Sequence, residues 1–128
     1  MAAMSDEYPG TITVHNGNIG EPDDCRRVVR EVIEQHGRLD ILVNNAGITI
    51  DRMVATMGDE DWMRLISINL SGAFFVAQAA LEHMLARGTG RIVNVSSVIG
   101  ETGNIGQANY AASSESDHPI RRLTAGVM

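Results

Sequence analysis

Leu39-Asp40-Ile41-Leu42-Val43-Asn44-Asn45-Ala46-Gly47 is the stretch on which the fold turns. Its first five residues are nearly continuous in apolar character, as a parallel strand buried on both faces would be. Two asparagines and a glycine then end the run. Upstream, Pro22 to His36 carries the punctuation of a helix: Pro22 in the first turn, Asp23 and Asp24 against the helix dipole, Gly37 as the stop. Cys25, Val28, Val29, Val32, Ile33 and His36 fall on one face at helical spacing. Before it, Thr11-Ile12-Thr13-Val14-His15 alternates and is β-branched, so it reads as a short strand. Downstream, Asp59 to Arg87 is helical in period, with Trp62, Ile66, Ala73, Ala77, Ala80, Leu81, Met84 and Leu85 on the inner face and Gly88 as the stop. Arg91-Ile92-Val93-Asn94-Val95 reads as another buried strand, Ser96 to Gln107 as a loop, and Asn109 as the start of a helix. Alternating strands and helices predict an α/β layer structure with parallel strands.

Composition narrows the classes of function. The chain has 128 residues, 44% hydrophobic and 20% charged, enough for one globular domain. A net charge of −6, with no basic cluster longer than Arg26-Arg27 or Arg121-Arg122, argues against nucleic acid as a partner. The longest apolar run, Gly72 to Leu81, is too short to span a bilayer, so no membrane association is expected. The start, Met1 to Glu7, has no signal segment, and Cys25 is the single cysteine, so a cytoplasmic protein without disulfide or metal site is expected. Periodicity gives a fold class and stops short of a reaction.

Four short stretches carry more. They are Asn44-Asn45-Ala46-Gly47, Asn69 within Ile68-Asn69-Leu70, Asn94-Val95-Ser96-Ser97, and Tyr110-Ala111-Ala112-Ser113. In this order, with Ser97 and Tyr110 13 residues apart, they resemble the short-chain dehydrogenase/reductase family over about four-fifths of the chain, Thr11 to Ser113. Asn45 to Thr49 and Gly103 to Tyr110 look most like the family's 3-oxoacyl-(acyl carrier protein) and acetoacetyl-CoA reductases. The resemblance implies a partial Rossmann-type, doubly wound parallel sheet, and hydride transfer to the 3-keto group of an acyl thioester. It implies NADP(H) or NAD(H) as cofactor, with NADP(H) favoured, and a homo-oligomer, a tetramer, in the intact relative.

The chemistry makes sense of these residue types. A ketone accepting hydride develops negative charge on oxygen and needs a donor already in place. The resemblance gives Tyr110 the part of general acid, Ser97 that of a hydrogen-bond donor orienting the carbonyl, and Asn69 that of holding a water in a proton relay. Asn45, Ala46 and Gly47 would lie where a parallel strand ends at the cofactor crevice, with small residues admitting a ribose. Asn18 and Ile19 would flank the adenine ring. Asp51 to Gly58 reads as surface loop with no role, and the four histidines as structural or solvated.

Three departures set limits on activity. The family's first two strands and its glycine-rich pyrophosphate loop do not occur in this sequence, and neither do its last two strands. The lysine expected four residues after Tyr110 is Ser114, and all ten basic residues are arginine. After Ser113 the pattern stops, and Pro119 stands where a long helix should run. Such an abrupt loss fits a shifted reading frame in an arginine-rich gene; a pseudoenzyme is the alternative. The expected organisation is a flexible lead-in at 1–10, a partial Rossmann domain at 11–113 and a non-family tail at 114–128, the chain itself inactive. A non-catalytic interaction fragment, or a family member acting on another alcohol or ketone, are the competing readings.

Overall fold

The computed structural model describes residues 10–95, 106–110 and 112–113. Helix α1 (Pro22–His36) is followed by strand β1 (Ile41–Asn44), a 3-10 turn (Val54–Thr56), helix α2 (Asp59–Ile66), a π turn (Ser67–Ser71), helix α3 (Gly72–Arg87) and strand β2 (Arg91–Asn94). The two strands pair in parallel, Ile41 opposite Arg91 through Asn44 opposite Asn94. A parallel pair needs a crossover, and α2, the π turn and α3 supply it as one continuous rod. This is the α/β arrangement expected, seen in part.

The predicted helix ends hold for the predicted reasons. Gly37 and Gly88 sit at φ 80° and 73°, a left-handed conformation that costs glycine little. The Gly37 N–H closes onto the Ile33 carbonyl at 2.8 Å, and the Gly88 N–H onto Leu85 at 3.1 Å. The core is small: Cys25 and Val29 of α1 against Leu65, Ala73, Ala77, Ala80 and Met84 of the rod. Alanines on α3 let α1 lie close to it, and α3 in turn covers β1.

The inner face of the rod differs from expectation. Trp62 is 38% exposed and Leu85 63%, whereas Leu65 and Asn69 turn inward. A π turn inserts an extra residue, so a strict 3.6-residue period carried across Ser67–Ser71 runs out of phase. By length and composition the rod is also the one described segment able to cross a membrane, with an 18-residue window of mean hydropathy 1.4. Counting only the unbroken run from Gly72 to Leu81 missed this. Its alanine face is taken up by α1 and β1, while 28% of that window is buried in all.

Two further expectations are corrected. Thr11–His15 forms no ladder and instead lies along α1. Thr13 Oγ1 shares a 2.8 Å hydrogen bond with His36 Nε2, His15 Nδ1 pairs with Glu31 at 3.2 Å, and Arg27 donates to the Asn16 carbonyl at 2.7 Å. Alternation reports a half-buried extended chain; it does not say what lies beside it. The strands, expected to be covered on both faces, are covered on one. Ile41, Val43, Val93 and Val95 are 48–61% exposed on the other.

The α1 end of this packing is electrostatic. The Asn18 N–H, aided by Arg27, holds the Asp24 carboxyl below its ordinary range. Arg27 and then His15 do the same for Glu31. Both carboxylates therefore stay charged while they hold the 11–18 segment. Burial pushes the Cys25 thiol up, and its Sγ–H donates to the Ile19 carbonyl at 3.2 Å, as a structural cysteine does.

Candidate active site

Four of the segments singled out in the sequence converge on the π turn and the first turn of α3. From one side comes the Asn18–Gly20 turn. Asn18 Oδ1 accepts the Gly20 N–H at 3.0 Å, and a Cβ at Gly20 would be 3.3 Å from Ser67 Oγ. Ile19 rests on Gly72: a Cβ there would stand 2.5 Å from the Ile19 carbonyl oxygen and 2.9 Å from its Cγ1. Backbone cannot step aside as a side-chain tip can. Gly72→Ala is therefore expected to lower stability by up to about 2 kcal/mol, since overpacking costs about 1–3 kcal/mol and the helix-propensity gain of about 1 offsets part of it. Gly58→Ala, with nothing within 4 Å of the added carbon, is the control. Urea midpoints of the two variants decide the matter, and equal midpoints would remove the close approach from the account.

From the other side comes the end of β1. Asn44 Nδ2 donates to Asn94 Oδ1 at 2.8 Å and to the Ala73 carbonyl at 3.3 Å, tying both strand ends to α3. Asn94 Nδ2 is buried with no partner among the described residues. Asn45, Ala46 and Gly47 follow, all exposed, in an open ledge at the strand's C-terminal end. This is where ligands enter open α/β sheets.

Asn69 grips the next residue. Its Oδ1 accepts the Ile48 N–H and its Nδ2 donates to the Ile48 carbonyl, both at 2.8 Å, and Nδ2 also lies 3.5 Å from Ser113 Oγ. The residue is only 8% exposed. Both amide donors and one acceptor position are thus engaged. A relay water would have to use the second lone pair of Oδ1 or the main-chain carbonyl. The sequence put Asn69 inside a helix; the π turn that aims it was not legible.

Tyr110 lies in a helical segment, residues 108–110 and 112–113, and is half-buried. Asn109 and Ser113, both fully buried, flank it. In the sequence Asn109 stood only as a helix start and Ser113 only as a motif end, with a role for neither. Two inward-facing polar residues beside a candidate acid were the signal available. The strip between ledge and helix, assigned no role from Asp51 on, is stitched to this segment: the Arg52 N–H donates to the Gly106 carbonyl at 2.8 Å, and Arg52 bridges Gln107. Ser97 lies outside the described residues. An apolar groove of about 1070 Å³ lies elsewhere, between α1 and α3, lined in part by Val29, Ile33, Phe74, Leu81 and Leu85, and it contains none of the candidate residues.

The pattern described as "short chain dehydrogenase" matches residues 1–116. The chain belongs to this family. Among its relatives, a 3-oxoacyl-[acyl-carrier-protein] reductase FabG of Thermotoga maritima is 47% identical over 105 residues, 82% of this chain and 43% of the relative. A FabG of Staphylococcus aureus is 45% identical over 95 residues, 74% and 39% of the two chains. An acetoacetyl-CoA reductase of Allochromatium vinosum is 45% identical over 107 residues, 84% and 44%. The chain thus spans less than half the length of these relatives. Within the family, the likeness is to the 3-oxoacyl reductases.

Proposed function

We propose that the chain is the central part of an NAD(P)H-dependent reductase acting on the 3-keto group of an acyl thioester, carried on acyl carrier protein or coenzyme A. The observation that carries this reading is the identity of 47% and 45% to relatives whose names state those two activities. Tyr110 is the proposed proton donor to the carbonyl oxygen and Ser97 its orienting partner. Asn69 holds the Ile48 strip and, in the same proposal, one relay water. The site is intracellular in this reading, and the intact protein a homo-oligomer joined through the Asp59–Arg87 rod and the tyrosine helix. The apolar outer side of α3, with Phe74 46% and Leu85 63% exposed, supports that contact.

The residues present fit a nicotinamide dinucleotide in part. The exposed Asn45–Gly47 ledge leaves main chain open to a ribose, and a Cβ at Gly47 would meet only Asn69, at 3.5 Å. Asn18 Oδ1 is committed to its own turn, so its Nδ2 is the group left for a purine. When bound, the cofactor supplies the hydride; the chain's own residues position it and hand over the proton. No glycine-rich pyrophosphate loop stands in this sequence, and the second strand, whose end selects NADP or NAD, is not in it either. NADP(H) is favoured on likeness to the 3-oxoacyl reductases alone.

The test joins a relative's first two strands ahead of Thr11 and its C-terminal segment after Ser114, and introduces Ser114→Lys. That completed protein is expected to oxidise NADPH or NADH in the presence of acetoacetyl-CoA, while the 128-residue chain shows no saturable NADPH fluorescence change. A folded completed protein that reduces only sugar or steroid ketones would replace this substrate class by another. The non-catalytic reading, in which the chain docks on intact family members, draws on Ser114 and the exposed Ile41, Val43, Val93 and Val95 face. Micromolar NADPH binding by the chain alone would rule it out.

A further inference from the structure

Asn109 is wholly buried and makes two opposed contacts with one planar group. Its Oδ1 accepts the Tyr110 N–H at 2.8 Å, and its Nδ2 donates to the Ile50 carbonyl at 3.2 Å. The first contact satisfies one of the main-chain donors that the opening turn of any helix leaves without an internal partner. The second reaches across 59 residues of sequence to the strip leaving the ledge. That strip is held at every second residue: Ile48 by Asn69, Ile50 by Asn109, Arg52 by the Gly106 carbonyl. Ser113, one turn beyond Asn109, takes the third contact of Asn69 and donates its own hydroxyl proton to the Tyr110 carbonyl at 2.9 Å. Two of these three holds, on Ile50 and Arg52, come from the segment that carries Tyr110. The Asn45–Gly47 ledge is continuous with the beginning of the strip.

We infer that Asn109 is a positioning residue that fixes Tyr110 relative to the ledge through Ile50. This rests on the reading of Tyr110 as proton donor, but the geometry can be tested without it. Asparagine suits the position because it offers an acceptor and a donor on one rigid group. Serine supplies the acceptor for the Tyr110 N–H and is too short for Ile50. Alanine supplies neither.

The chain has two tyrosines, so Tyr8→Phe with 3-fluorotyrosine leaves Tyr110 as the single fluorine reporter. One narrow line is expected for that protein. Asn109→Ser and Asn109→Ala should both lose it, to a broadened or split signal, while the methyl signals of Leu65 and Met84 report an intact core. If Asn109→Ser keeps the narrow line and only Asn109→Ala loses it, the asparagine is a helix cap and nothing more, and the inference is overturned. Should both variants fail to fold, the unmutated chain decides. The Asn109 side-chain amide should exchange slowly and show a nuclear Overhauser contact to the Ile50 α-proton. Exchange as fast as at an exposed asparagine overturns the proposal. The fluorine line reads geometry alone, so a failure of the catalytic assignment, which appears in turnover, cannot be mistaken for a failure here.

Discussion

The completed protein with Ser114→Lys is expected to turn over acetoacetyl-CoA about 10² to 10⁴ faster than the form that keeps Ser114, the usual worth of general acid–base help. A phenol titrates near 10 in isolation. A neighbouring ammonium favours the phenolate and so eases proton exchange by a phenol near neutral pH. Ser114 brings no charge, and no lysine elsewhere in the chain can substitute. The sign is open to a pH profile. With lysine in place of Ser114, the loss of turnover as pH rises should set in at a lower pH than in the serine form. Equal turnover and equal profiles, in two folded proteins, would mean that Tyr110 needs no cation or is not the acid.

The ends of α1 and α3 were legible because glycine's tolerance of positive φ is a local property that Gly37 and Gly88 carry themselves. So was β1 as a strand, although the burial on both faces that its apolar run implied is met on one face only. What failed was whatever depended on a neighbour. Thr11–His15 has the alternation of a strand, yet its partners are His36, Glu31 and Arg27 of α1, and no periodicity names a partner. The π turn at Ser67–Ser71 is equally silent in sequence, since its residues, Ser-Ile-Asn-Leu-Ser, would pass in any helix.

At the candidate site the family motifs brought Asn69 and Tyr110 into view, because motif spacing survives where contacts cannot be read. The same motifs contain Asn109 and Ser113 but gave neither a role, since their contacts, to Ile50 and Asn69, are made across the fold. The strip itself looked like plain surface loop from Asp51 onward. Its importance is topological: among the described residues, it is the chain that runs from the ledge to the tyrosine helix's partners. Asn69, too, changed in meaning. Identified as a holder of water, it is seen to grip main chain with both ends of its amide, which makes it a part of the same frame.

In the completed protein carrying Ser114→Lys, Tyr110→Phe should reduce turnover by about 10² or more, since it deletes the proton donor and leaves the ring. Tyr110 is half-buried, so the phenylalanine ring can occupy the same space with little effect on folding. Because the missing proton is needed in the transition state and not for binding, the loss belongs in kcat, with KM for acetoacetyl-CoA little changed. Ser97→Ala should also slow turnover strongly, by removing the donor that orients the carbonyl, and Ser96→Ala should do little. The serine pair guards against an error of register, because a strong effect at Ser96 with none at Ser97 would place the motif one residue away. An active completed protein whose turnover is indifferent to Tyr110→Phe would show that the proton comes from elsewhere. The stitched frame of Asn69, Asn109 and Ser113 would then hold a helix in place without holding its acid.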